Sequence, residues 1–439
     1  MGAFGRAFAV LALAVLAWCA VLPASAADRP SPEKILRDWY FLMNELVRHT
    51  PTYSPPVASR SFGYLGVTAF ESAVGGSDKL VSLVGQLREL DSVPARDAGA
   101  AYDETVIISA AMSDAIDYYF GNTGPTGLRA IKIAQTKWRA LAVDGVPDDV
   151  VSRSEAFGKA MAAHIHDWSQ SDGGAVVTNM GFPEGMVLAT GDDKWVPTSA
   201  IRQQQYPLLP DWGNNRTFVT PSGAACPTPG YPGFSTDPGS QFFKEAKEVY
   251  DAGRSLTAEQ AAIARFWSDD PMLSMTPPGH WVSIALQVAE RDALPLDRFV
   301  DLLARMGVAM SDAFVGCWDA KYKYNLVRPV TYIRKFIDPK WEPLLNTPPF
   351  PEYPSGHSTV SGAMDAVLTA FFGDNYAFED NTGSPDGRNP RNYRSFHEAA
   401  EEAGISRLYG GIHFHSAIVD GLEQGRCIGA YAVALKTRR

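Results

Sequence analysis

The chain of 439 residues is long enough for one large domain or two of ordinary size. With 46% hydrophobic and 20% charged residues and no long polar tract, it excludes a largely disordered protein. A formal net charge of −10 argues against general attraction to nucleic acid or anionic membranes, so any local cluster of Lys and Arg needs its own explanation.

The first segment reads as an export signal. Arg6 supplies a positive charge, 10–21 is almost wholly apolar, and Ala24-Ser25-Ala26 has the small-residue form of a cleavage site. The apolar run is too short for a comfortable membrane span, and nothing later approaches the roughly 18 to 20 apolar residues that a span requires. The expectation is a signal peptide over 1–26, an exported protein, periplasmic or extracellular, and no stable membrane span. Beyond it lie Cys226, Cys317 and Cys427. Three thiols allow one disulfide and leave one over, with the pairing open, and their scattering excludes a Cys-based zinc site.

Helical periodicity dominates the mature chain. Ile35, Leu36, Trp39, Leu42, Met43 and Leu46 recur at three- and four-residue steps, which predicts a helix over 32–49 with one buried stripe. Similar patterns predict helices over 57–74, 98–120, 128–141 and 152–168. The second half continues with 258–267, 280–290, 296–324, 357–372, 396–407 and 421–435. Between 169 and 240 Gly, Pro, Asn and Asp accumulate, which is turn and loop chemistry with room for a short hairpin. So long an irregular stretch is usually a functional loop or cover, with a linker as the other reading, and its aromatics (Trp195, Tyr206, Trp212, Phe218, Tyr231, Phe234) favour packing against the body. The expected organisation is a helical part over 27–168, the irregular region over 169–240, and a second helical part over 241–439 that carries the chemistry.

Three segments of that second part stand out. Lys321 and Arg328 lie seven positions apart before Pro329, a spacing that places both on one face of a helix stopped by the proline. A solvated basic face is the plainer explanation, but Trp318 makes this face partly apolar. The second is Pro351-Glu352-Tyr353-Pro354-Ser355-Gly356-His357: Pro354 stiffens the approach, Gly356 admits a close ligand, and Ser355 opens a helix whose first amides lack partners. A plain Ser N-cap would account for Ser355 but not for the adjacent His357. The third is Ser406-Arg407 followed by Tyr409-Gly410-Gly411-Ile412-His413, where a Gly-Gly bend lets Arg407 and His413 turn inward. A lone His in an apolar stretch is more often a satisfied core residue, and each segment alone is weak.

Taken in order, K-x6-R-P, P-S-G-H and S-R-x5-H resemble the signature of the vanadium haloperoxidase and type 2 phosphatidic acid phosphatase superfamily, with local wording most similar to secreted bacterial haloperoxidase-like members. The resemblance extends more faintly to Phe266-Trp267-Ser268-Asp269-Asp270, to Thr276-Pro277-Pro278-Gly279-His280-Trp281, and to a helix from about Ser59 to Val74. It implies an all-α fold of two four-helix-bundle-like halves around a buried oxyanion pocket. It also implies vanadate as cofactor, with phosphate as a competing occupant. By position, His413 would be the metal ligand, and Lys321, Arg328, Ser355, the Gly356 amide and Arg407 would bond the oxygens. His357 would be the acid–base residue. The implied reaction is halide oxidation by hydrogen peroxide to hypohalous acid, the partners being hydrogen peroxide and halide or a small organic substrate, with an oligomer compatible with the chain. Phe350 and Trp318 fall where chloride-oxidising members resemble it. The alternative is an acid phosphatase with His413 as nucleophile and His357 protonating the leaving group; a third is an oxyanion-binding protein without turnover. The chain departs from the pattern at Ala417, where the superfamily usually has an Asp orienting the last His, so that a backbone carbonyl or Asp420 is expected to serve. Asp269 and Asp270 are candidates for a salt bridge to Arg407. His49, His164 and His166 read as surface or packing residues, and His280, His397 and His415 have no assigned role.

Overall fold

The structure, a computed structural model, describes residues 29–177, 181–199 and 204–439, and the export signal expected over 1–26 lies outside them. Among these residues thirteen α-helices carry the regular structure. The first half holds α1 (Pro32–Arg48), α2 (Pro55–Val74), α3 (Glu104–Phe120), α4 (Gly124–Ala142) and α5 (Asp148–Ser169). The second holds α6 (Gln241–Ser255), α7 (Ala258–Phe266), α8 (Thr276–Arg291), α9 (Leu296–Tyr324), α10 (Pro329–Phe336), α11 (Gly356–Phe372), α12 (Phe396–Tyr409) and α13 (His415–Val433). A small antiparallel ribbon of β1 (Phe378–Asp380) and β2 (Arg391–Tyr393) interrupts them. No described helix is long and apolar enough to cross a membrane.

Local chemistry explains the helix starts. Ser31 caps α1 by accepting from the Lys34 amide at 3.3 Å, with Pro32 in the first turn, and Ile35, Leu36, Trp39, Met43 and Leu46 form the buried stripe. Thr257 and Gln260 close a capping box at α7, and Ser240 caps α6.

The all-α expectation is met by two bundles that share one long helix. The 29-residue α9 packs against α2 on one side, where α1, α3 and α5 complete a bundle, and against α11 and α13 on the other, where α12 joins them. The contact with α2 depends on missing side chains. An added Cβ at Gly66 would stand 2.6 Å from the Leu303 carbonyl, and one at Gly307 would stand 2.4 Å from that of Phe62. Between α11 and α13 the approach is closer still: a Cβ at Gly362 would lie 2.1 Å from the Leu422 carbonyl, and one at Gly425 would lie 2.0 Å from that of Thr359. These crossings bring the start of α11 and the segment before α13 to the last turns of α9.

Several boundaries differ from the sequence reading. α9 ends at Tyr324, because Asn325 adopts the left-handed conformation (φ +49) that Asn tolerates better than most residues. Arg328 is therefore the N-cap of α10, with Pro329 beginning that helix instead of stopping α9, so Lys321 and Arg328 do not share one helix face. α6 went unpredicted because the buried Glu245 breaks its apolar stripe of Phe242, Ala246 and Val249. α13 begins at His415, earlier than the 421 expected.

The described part of 169–240 holds no strand, only single 3-10 turns at Trp212–Asn214 and Gly223–Ala225, and the chain's hairpin is β1–β2. The region is pinned down: the Trp195 amide donates to the Asn325 carbonyl at 2.9 Å, the Trp318 indole donates to that of Leu208 at 3.2 Å, and Asp312 accepts the amides of Phe218, Val219 and Thr220. Cys226 is disulfide-bonded to Cys427 of α13, a bond of the kind that persists in oxidising compartments, and Cys317 is a buried thiol.

Replacing Gly425 with Ala forces a methyl onto the Thr359 carbonyl, and we expect a loss of about 2–3 kcal/mol in urea denaturation. Gly233→Ala, where nothing lies within 4 Å, should stay within about 0.5 kcal/mol. Equal stabilities for the two variants would refute the close-packing account.

Candidate active site

Three backbone devices aim side chains into one volume. The last turn of α9 presents Lys321. The segment 350–354, through a cis Tyr353–Pro354 bond, delivers Ser355 as N-cap of α11, with the Gly356 and His357 amides preceding the first intrahelical bond. Finally α12 ends at Tyr409, and Gly411 (φ +78), a conformation natural to glycine, turns the chain so that His413 points inward.

Lys321 is fully buried. Its ammonium donates to the carbonyls of Pro351 (3.0 Å), Glu352 (2.9 Å) and Pro354, so it fixes the turn that leads into α11. Burial, aided by Arg328, pushes its proton affinity down to about 8. Arg328 is also fully buried; Nε donates to the Phe350 carbonyl (2.9 Å), and Nη1 donates to that of Ile412 (2.8 Å) and meets His413 Nε2 at 3.2 Å. Arg407 sends Nε to Ser406 Oγ (3.1 Å) and Nη1 to the Ser268 carbonyl (3.2 Å), and Nη1 lies 3.0 Å from His357 Nε2. On both guanidiniums Nη2 is buried without a partner, as is Ser358 Oγ.

The two histidines differ in setting. Buried His413 places Nδ1 2.8 Å from Glu352 Oε1, which also accepts the Phe414 amide at 2.9 Å. The carboxylate selects the tautomer with hydrogen on Nδ1, leaving the Nε2 lone pair toward Arg328. Burial, and then the charges of Arg328, Lys321 and Arg407, hold this imidazole far below its usual proton affinity, so it is neutral. Burial raises Glu352 to about 8 against the pull of Arg328 and the Phe414 amide. His357, with its side chain 16% exposed, is the one partly accessible group of the set. Burial and the Arg407 charge lower it to about 4, opposed by the Asp269 carboxylate at 3.7 Å from Nε2. The Phe350 and Trp318 rings meet at a tilt, centroids 5.0 Å apart, beside these groups, with the Lys321 ammonium 5.1 Å and the Arg328 guanidinium 5.0 Å from the Phe350 ring.

The structure thus brings together Lys321, Arg328, Ser355, Gly356, His357, Arg407 and His413. It corrects the groups expected around them. Asp420 accepts from the Tyr353 hydroxyl (2.7 Å), and the Ala417 carbonyl accepts the Ser355 amide (2.9 Å), so Glu352 orients His413 in place of either. The only signal for it in the sequence was an acid placed among Pro, Phe and Tyr. Arg407 meets the Ser268 carbonyl instead of the Asp269 or Asp270 carboxylate, although both charges act on it through space. Asp269 instead binds His280 Nδ1 (3.0 Å), whose Nε2 binds Asp380 (2.9 Å). A His buried beside Trp281 gave no sign in sequence of partners so distant.

A family profile for the VCPO second helical-bundle domain matches residues 301–439. The vanadium chloroperoxidase of Curvularia inaequalis is 30% identical over 138 residues, 26% of this chain, and the chain spans only 23% of the length of that relative. The crystal structure of the first bacterial vanadium-dependent iodoperoxidase superposes with a TM-score of 0.83 at 35% identity, covering 92% of this chain and 97% of that one. A holo-type bacterial vanadium-dependent chloroperoxidase superposes at 0.67 with 15% identity, over 92% of this chain and 95% of the other, which is likeness of fold alone. The chain belongs to the vanadium-dependent haloperoxidase family.

The buried His280 has a measurable signature. Burial alone would lower its proton affinity, but the charges and hydrogen bonds of Asp269 and Asp380 outweigh it and raise it to about 10 from an unfolded value near 6.5. The folded state therefore binds the extra proton between those values, and the stabilisation is complete below about pH 6.5 and lost as pH rises through about 10. Thermal melts from pH 7 to 10 should show the wild type losing more stability than His280→Gln over that window. Parallel curves would remove the charged bridge from the account.

Proposed function

We propose that this pocket holds vanadate and that the protein oxidises a halide with hydrogen peroxide to hypohalous acid. The observation that carries the reading is the pair of buried, unpartnered Nη2 groups on Arg328 and Arg407, flanking a neutral His413 with its Nε2 lone pair inward. A buried guanidinium hydrogen without an acceptor is costly, and a tetrahedral oxyanion supplies acceptors in several directions. Ser355, Ser358 and the first amides of α11 add neutral donors, so the residues fit such a group.

His413 Nε2 would take the metal, with Glu352 fixing the ring and its basicity. Lys321, Arg328 and Arg407 would balance the charge. When bound, vanadate supplies a Lewis-acid centre at which peroxide becomes electrophilic toward a halide. His357 is unprotonated above about pH 4 and so can take a proton from incoming peroxide, and an anion in the pocket offsets Arg407 and strengthens that basicity. Its place at the accessible edge suits the exchange of peroxide, halide and product with solvent. The 35% identity to an iodoperoxidase across nearly the whole chain favours iodide over the chloride suggested by Phe350 and Trp318, and iodide is also the more easily oxidised ion.

The test is a halide-dependent peroxidase assay with and without added vanadate, run with iodide, bromide and chloride beside a phosphate-ester assay. We expect vanadate-dependent oxidation, fastest with iodide, and a loss of at least about a hundredfold in kcat for His357→Ala with vanadate still bound. Ester cleavage inhibited by vanadate, without halide oxidation, would establish the phosphatase reading; vanadate binding with neither activity would leave an oxyanion-binding protein. Glu352→Ala should weaken vanadate binding by about 10–100-fold in equilibrium dialysis. Unchanged affinity would mean that His413 does not depend on it.

A further inference from the structure

Asp269 is the one carboxylate within ion-pair distance of His357 among the described residues, and its own placement needs explaining. Its backbone sits at φ +48, in the left-handed region that Asp, like Asn, tolerates better than most residues, and its surroundings hold the side chain. Those surroundings form a buried chain. His280 Nδ1 lies 3.0 and 3.1 Å from the two Asp269 oxygens, and its Nε2 lies 2.9 Å from Asp380 Oδ2. Asp380, at the end of β1, is fixed by accepting the Thr382 amide at 2.9 Å. The His280 ring stacks on Trp267 at 4.3 Å, whose indole donates to Glu402, and Glu402 also holds Arg391 and the Tyr393 hydroxyl of β2. Asp269, His280 and Asp380 are all at least nineteen-twentieths buried.

We propose that His280, braced by Asp380, is a positioning residue for the chemistry at His357: bridging the two carboxylates, it holds Asp269 where that carboxylate orients the His357 ring. The small β1–β2 ribbon then acquires a purpose, since it delivers the outer carboxylate. The proposal rests on the proposed function in that His357 moves a proton there, whereas the bridge itself stands on geometry.

Two opposite effects make it testable. The groups facing His357 are Asp269 from the α7–α8 segment and Arg407 from α12, with Asp270 behind Arg407; those facing His280 are Asp269 and Asp380. A held Asp269 raises the proton affinity of His357, and the His280 cation lowers it through space. Removing His280 therefore raises the His357 midpoint if Asp269 stays in place, and lowers it if Asp269 is released.

The experiment is an NMR titration of His357 in the full chain saturated with inorganic phosphate, whose charge lifts the midpoint away from acid unfolding. Wild type, His280→Gln, Asp269→Asn and the double variant are compared. We expect each single variant to lower the midpoint by about one pH unit and the double variant to add nothing further. Alongside, kcat for halide oxidation should fall about tenfold, with vanadate affinity kept. A midpoint that rises or stays fixed in His280→Gln, or shifts that add in the double variant, would overturn the proposal. Should His280→Gln fail to fold, Asp380→Asn removes only the outer brace and should move the midpoint the same way by less; no movement counts against the bridge. Absence of halide oxidation in the wild type defeats the proposed function, and the titration still decides the positioning role.

Discussion

Three cations buried in a helical interior are the constraint on which the rest of this structure turns. Lys321, Arg328 and Arg407 are each at most 1% exposed; Glu352, buried beside Lys321 and Arg328, is itself pushed toward its neutral form, and buried Asp269 acts on Arg407 through space. Charges so placed are tenable only when hydrogen bonds and counter-charge surround them. Backbone carbonyls satisfy Lys321 and Arg328 Nε and Nη1, the Ser406 hydroxyl and the Ser268 carbonyl take Arg407 Nε and Nη1, and Nη2 of each guanidinium is left buried without a partner. In a chain of net charge −10, this internal positive field is opposite in sign to the chain as a whole.

The fold serves that arrangement through helix crossings. α9 belongs to both bundles, and the glycines of α11 and α13 let those helices approach until backbone meets backbone. The start of α11, the Gly410-Gly411 turn and the end of α9 then meet at one place. The loop over 181–199 and the Leu208 segment fasten to α9 at Asn325 and Trp318, which covers the same end of the helix. Two histidines in this volume differ only by environment. Burial and three cations keep His413 neutral and Glu352 directs its ring inward, while Asp269 and Arg407 hold His357 at the accessible edge.

Much of this was legible in the sequence, for physical reasons that can be named. Stripes of Ile, Leu and Trp at three- and four-residue steps predicted most helices, because a helix packed on one side must show that period. Ser355 before Gly356 announced a cap, and Gly410-Gly411 a turn. What failed depended on long-range partners or on a single backbone angle. Left-handed Asn325 ended α9 before Arg328, so the seven-residue spacing did not mean a shared face. Glu352 and His413 are 61 residues apart, and His280 and Asp380 are 100 apart; neither pairing leaves a periodic trace. The missing Asp at Ala417 showed that a substitute had to exist without showing where.

The central claim is that one tetrahedral oxyanion occupies the space between His413 and the two free guanidinium groups. A crystal structure of the protein soaked in vanadate, with vanadium located by its anomalous signal, tests this most directly. The account predicts one vanadium per chain in bonding contact with His413 Nε2, its oxygens taken up by Nη2 of Arg328 and of Arg407. Vanadium bound elsewhere, or both guanidiniums turned onto protein carbonyls with the space filled by water, would contradict it.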